Sequence, residues 1–217
     1  MSKISRWIKD PFCGLSHLAG TLLAIAALVV LLILADGRPW HTTGFAIYGG
    51  SLILLYAASA ACHSVHCAPA KADRLDRFDH AAIFLLIAGT YTPLCLVPLR
   101  GVWGWSLLGI EWALAATGIV LIGFNLVRSE WVRVVVYVLM GWMALIFLGP
   151  LARVLPAAAI GWLLAGGLVY TVGAVIYALD RPHLWPGKFT AHDLWHVLVL
   201  AGSACHFVAL LVFIALP

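Results

Sequence analysis

The chain has 217 residues, of which 64% are hydrophobic and only 10% charged, and its mean hydropathy is +1.03. A water-soluble domain is nearer half apolar and a quarter charged, so this composition excludes an ordinary soluble globule and implies an integral membrane protein. The net charge of +4 does not imply a nucleic-acid partner, because the 13 Lys and Arg residues are scattered among short connectors, where membrane topology explains them.

Apolar stretches of about 20 residues, the length that crosses a bilayer, fall near residues 15–35, 44–64, 80–99, 103–126, 132–150, 157–179 and 194–216. They predict an all-α fold, a seven-transmembrane helix bundle. Between them lie short, punctuated connectors such as Asp36-Gly37-Arg38-Pro39, Ala68-Pro69 through Arg77, and Asp180-Arg181-Pro182 through Lys188. None is long enough to separate domains, so residues 1–217 are expected to form a single membrane domain. The first stretch is too long for a signal peptide and is read as a span. The five cysteines, Cys13, Cys62, Cys67, Cys95 and Cys205, contain no CxxC and are read as reduced, small apolar side chains. Tryptophans near the stretch ends, Trp7, Trp40, Trp103, Trp105, Trp131 and Trp185, suit interfacial anchoring.

Orientation follows from the basic residues. One side collects Lys3, Arg6, Lys9, Lys71, Arg74, Arg77, Arg128, Arg133, Arg181 and Lys188; the other holds Arg38, Arg100 and Arg153. The positive-rich side stays cytoplasmic, which puts the N-terminus in the cytoplasm and the C-terminus outside.

At the mouth of the last stretch stands Ala191-His192-Asp193-Leu194-Trp195-His196. Four residues of α-helix make one turn plus about 40°, so the two histidines project from nearly one face and can grip one metal ion. Two imidazoles wetted by headgroups would show the same spacing, so the rest of the chain has to decide. The second stretch ends at His63, with Ser59 one turn deeper, and the third begins at Asp79 and His80. Three helices thus bring ionisable or nucleophile-type groups to the cytoplasmic end of the bundle. A catalytic zinc takes three protein ligands and keeps a fourth position open. His63, His192 and His196 can supply the three. Asp79 can act as general base towards a water in the open position, or simply cap a helix start. Ser59 can orient that water or donate to a developing oxyanion, or bond back to its own helix. His17 enters the first stretch at a comparable level, as a neighbour of the site or a snorkelling group. His206 lies about 15 Å beyond His196 along a helix, too deep to share its ion. His66 and His80 are read as facing the interface.

Ser59-x3-His63, the run Leu75-Asp76-Arg77-Phe78-Asp79-His80-Ala81-Ala82-Ile83 leading into Ile87-Ala88-Gly89-Thr90-Tyr91-Thr92-Pro93, and His192-x3-His196 closely resemble the hemolysin III proteins. Those belong with the progestin and adipoQ receptors, the adiponectin receptors among them, and more remotely with alkaline ceramidases. The resemblance implies a seven-helix bundle with its N-terminus in the cytoplasm. It places the family's zinc ligands on His63, His192 and His196, and its motif serine and aspartate on Ser59 and Asp79. Where bacterial members often carry a glutamate and an asparagine before the first-helix histidine, this chain has Asp10-Pro11-Phe12-Cys13-Gly14-Leu15-Ser16-His17. The resemblance therefore carries no acidic role onto the first helix.

The leading functional expectation is a zinc-dependent lipid amide hydrolase, ceramidase-like, in the plasma (cell inner) membrane, acting in membrane lipid homeostasis with a ceramide-like lipid or fatty acid in the bundle. The alternative is a non-enzymatic sensor or receptor of membrane state in which zinc is structural. A cytolytic pore ranks third, because the stretches show too few polar faces to line a water-filled channel.

Overall fold

Proline opens each of the first three helices, at the position where its missing N–H and fixed φ do no harm. They are α1 (Pro11–Leu34), α2 (Pro39–Ser64) and α3 (Pro69–Leu96). There follow α4 (Val102–Gly123), α5 (Glu130–Gly141), a 3-10 turn (Met143–Leu145), α6 (Leu148–Val154), α7 (Ala157–Leu179) and α8 (Ala191–Leu210), which runs into a π turn, Leu211–Ala215. The structure is a computed structural model and describes residues 7–182, 184–185 and 189–216. Lys3, Arg6 and Lys188 of the charge count, together with His183 and Pro217, lie outside the described residues.

Among the described residues six helices are long and apolar enough to cross a membrane, and the pair Glu130–Leu145 and Leu148–Val154, bent by 51°, makes a seventh if taken as one span. The sequence predicts that span as an unbroken stretch, 132–150. Its break has a local cause. Pro150 has no N–H, and its ring collides with the carbonyl four residues back, that of Ile146, where the helix gives way. The backbone groups set free are met by Tyr91 of α3. The Ala144 N–H donates to the tyrosine oxygen at 3.0 Å, and the tyrosine O–H is shared between the carbonyls of Gly141 at 2.8 Å and Met140 at 3.1 Å.

α3 also departs from expectation: it starts at Pro69, not near residue 80. The polar lead-in Ala-Lys-Ala-Asp-Arg-Leu-Asp-Arg is made of adequate to good helix formers and carries an Asp73–Arg77 pair at 3.1 Å across one turn. Counting apolar residues cannot see such an extension. Asp79 consequently sits in the third turn of α3, well inside the helix, and is not a cap.

α1 packs on α2 and α8, α2 on α3, α3 on α4, and α7 on α8, while α5 touches α3 and α7 more sparsely. Phe45, Tyr48, Tyr56, Leu31 and Leu210 are buried in the common core. Large apolar side chains such as Leu22, Leu23, Ile33 and Leu139 face outward, which suits a surface solvated by lipid. Contacts with α2 and with the end of α8 fix the two ends of α1. At its start the backbone N–H of Asp10 donates to His63 O at 2.8 Å, and Gly14 lets α1 come so close to α2 that a Cβ there would stand 2.5 Å from Ser64 Oγ. At the far end Arg38 donates to Leu34 O of α1 and, at 2.6 Å, to Ala215 O beyond α8.

Candidate metal centre

The start of α8 is set by a capping box. The Thr190 N–H donates to Asp193 Oδ2 at 2.7 Å, and the Asp193 N–H donates to Thr190 Oγ1 at 3.2 Å. This anchors the first turn so that His192 and His196, four residues apart, both turn into the bundle. There they meet His63, from the last turn of α2. His192 Nε2 lies 3.4 Å from His63 Nε2 and 3.1 Å from His196 Nε2. Two nitrogens each about 2.0–2.1 Å from one tetrahedral ion stand about 3.3 Å apart, so both distances from His192 are compatible with a shared ion.

The donor chemistry agrees. His63 Nδ1 lies 3.1 Å from Asp10 Oδ2; the imidazole N–H donates there, and its Nε2 turns a lone pair to the cluster. Asp10 holds the N-cap position of α1 but makes no side-chain cap bond, its carboxylate being engaged with the histidine. His196 is buried, and its Nδ1 has no partner among the described residues. With their protons on Nδ1, the three imidazoles would turn Nε2 lone pairs toward the space between them, which a cation could satisfy.

Among the described residues two groups of side chains could hold a metal ion, each with its ligand atoms within 4.8 Å of one another: Cys13, His63, His192 and His196; and Cys62, His63 and Asp79. Asp79 Oδ2 lies 3.9 Å from His63 Nε2. Ser59 is buried one turn deeper on α2, with its hydroxyl beside the Asp79 carboxylate. All five residues singled out in the sequence, Ser59, His63, Asp79, His192 and His196, are thus brought to one end of the bundle.

They stand at the head of a long cavity lined by α2, α3, α5, α7 and α8, with His17 of α1. It runs from His63 and His192 down to His206, and the fourteen residues from His192 to His206 correspond to about 21 Å of helix, more than the roughly 15 Å of one bilayer leaflet. Its walls are mostly apolar, including Leu55, Leu86, Ile87, Leu94 and Val199. His206 lines its deep end, with Nδ1 2.9 Å from Gly202 O and its ring stacked on Tyr170 at 5.4 Å. His80 corrects its sequence reading. It lines the cavity and does not face outward, with Nδ1 2.9 Å from Asp76 O.

Three neighbours of the centre were not assigned from sequence. Asp10 lies outside the apolar stretch, and no spacing rule ties it to His63. Cys13 is indistinguishable by type from the other four cysteines. His17, left between two readings, is buried, with its ring centroid 3.9 Å from that of His196 and neither ring nitrogen partnered among the described residues.

Fold and site together define a multi-pass, all-helical membrane protein with a histidine-rich candidate metal centre closing one end of an intramembrane cavity. The chain belongs to the haemolysin-III-related family, whose model matches residues 5–207. It is 38% identical over 218 residues to Hemolysin-3 of Bacillus cereus, covering 99% of this chain and 96% of that one. It is 41% identical over 200 residues to the hemolysin-3 homolog of Bacillus subtilis strain 168, covering 91% of each. A more distant relative is the adiponectin receptor protein of Drosophila melanogaster, 28% identical over 184 residues, which are 75% of this chain and 40% of that protein.

Proposed function

We propose that the protein is a zinc-dependent hydrolase of a membrane lipid amide, ceramide-like, serving lipid homeostasis in the plasma membrane with its N-terminus and metal centre on the cytoplasmic side. The observation that carries this reading is the ligand-like spacing of His63, His192 and His196 at the head of an apolar cavity longer than one leaflet. Imidazole donors suit zinc, and these three would hold it. Bound zinc would polarise the amide carbonyl and acidify a water beside it.

The chain's own groups supply the rest. The cavity takes the acyl chain and excludes water from all but its head. Asp10 keeps His63 in the tautomer that presents Nε2. Asp79 takes a proton from the water as its oxygen bonds to the carbonyl carbon, then returns it to the leaving nitrogen as the C–N bond breaks, releasing a fatty acid and an amine. Ser59 donates a hydrogen bond to the carboxylate or to the oxygen on which charge develops. The test is turnover of a panel of long-chain ceramides by the purified protein. Activity should vanish on chelation and in Asp79→Asn, with the metal content of Asp79→Asn unchanged. A wild type that holds its metal and turns over none of the panel would replace the reading.

A second reading, a sensor in which zinc ties the helices together, is favoured by one observation, the presence of Cys13 in the same group of ligand atoms. Four protein ligands make a closed, structural site.

A further inference from the structure

We propose that Cys13 is the fourth ligand of this metal centre, closing it at rest with one thiolate and three imidazoles; the proposal rests on the three-histidine reading above. Cys13 is buried in the first turn of α1, and its Sγ lies within 4.8 Å of the ligand nitrogens of His63, His192 and His196. Sulfur at about 2.3 Å and nitrogen at about 2.0–2.1 Å from a tetrahedral ion stand roughly 3.5 Å apart. The sulfur therefore has to move by only about 1 Å, within reach of a side-chain turn.

The platform beneath it is fixed. Asp10, three residues earlier, is bonded to α2 through both its backbone N–H and its carboxylate, and Gly14 lies against Ser64. Asp79 is the competing fourth ligand, but its carboxylate groups only with Cys62 and His63, away from His192 and His196. Cys13 alone among the described cysteines and carboxylates lies within ligand distance of all three histidines.

The sulfur has two places to be. It now donates to Asp193 Oδ1 at 3.2 Å. When it coordinates, the S–H proton is given up, and an acceptor already in contact stands ready in Asp193. When it swings back, the fourth position opens to water or to a substrate carbonyl. The first turn of α1 thereby decides whether the centre behaves as a closed structural site or an open one, with substrate entry competing against the thiolate.

The experiment uses the full-length protein in detergent micelles, stripped with chelator and reloaded with Co²⁺, whose thiolate ligation gives a charge-transfer band in the near ultraviolet. Wild type should bind one Co²⁺ per chain and show the band. Cys13→Ser should still bind Co²⁺ through the three histidines but lose the band, while Cys62→Ser should keep it. Co²⁺ bound by wild type without the band overturns the proposal and leaves the three-histidine centre standing. A band lost in Cys62→Ser and kept in Cys13→Ser also overturns it. No Co²⁺ bound by wild type overturns the centre itself. Should the serine variants fail to fold, alkylation of the wild type decides. Zn²⁺ should protect Cys13, located by mass spectrometry, and equal labelling of Cys13 with and without Zn²⁺ refutes its ligation.

Discussion

Removing the Tyr91 hydroxyl isolates the cost of breaking a helix inside a membrane. In a continuous helix the Ala144 N–H would bond to Met140 O, and the Leu145 N–H to Gly141 O. In this chain the Ala144 N–H goes to Tyr91, the Leu145 N–H to Trp142 O, and both released carbonyls share the tyrosine O–H. Tyr91→Phe keeps the ring and its burial while leaving one N–H and one or two carbonyls without partners. Each such group costs about 1–3 kcal/mol, and the bilayer offers no water in exchange. A typical interhelical side-chain bond in a membrane protein is worth only about 0.6 kcal/mol, because the unfolded state finds substitutes. Unpartnered backbone should lift the loss here to about 3 kcal/mol, or roughly 100-fold in the unfolding equilibrium. The assay is reversible unfolding in mixed micelles of rising dodecyl sulfate fraction, followed by circular dichroism. Tyr48→Phe is the matched control, since Tyr48 is also buried and its hydroxyl has no partner among the described residues; that substitution should cost nothing. Equal losses in the two variants would refute the reasoning.

Further outcomes follow from the same geometry. His192→Ala should lose bound zinc, because two imidazoles cannot hold the ion in a tetrahedral site, whereas His206→Ala should keep it; elemental analysis of the purified variants checks both. Asp10→Asn should retain the fold but weaken zinc binding by about 10–100-fold, the usual cost of removing a carboxylate that orients a histidine ligand, read by competition with a chelator of known affinity. A reporter fused at the C-terminus should register outside the cytoplasm, and one in the loop between Ser64 and Pro69 inside; the reverse pattern would put the metal centre on the outer face.

The histidine pair of α8 was legible because a four-residue spacing has one meaning on a helix, and His63 because an apolar stretch ends on it. Asp79 was visible as a residue, but its setting was not. A hydropathy window stops where Lys71, Asp73, Arg74 and Arg77 begin, although those residues continue the helix. Pro150 advertises a break, yet the partner that makes the break tolerable, Tyr91, lies on another helix some fifty residues away. Asp10 and Cys13 were opaque for a related reason. Their role depends on α1 starting beside the last turn of α2, a tertiary contact that no periodicity encodes.

The arginine between the first two helices has a mechanical consequence. Arg38 fastens the far ends of α1 and the α8 segment to each other through Leu34 and Ala215, whereas their near ends meet around the histidine cluster, through Cys13 with Asp193 and His17 with His196. The seam between first and last helix is therefore riveted at one end and latched at the other. Loss of the ion should release only the latch, so that the two helices splay like a clothes-peg about Arg38 and the cavity widens from its metal end. Spin labels placed at exposed sites on the first turns of α1 and α8 should move apart on chelation, while a pair placed near Arg38 and Leu216 should hold their distance.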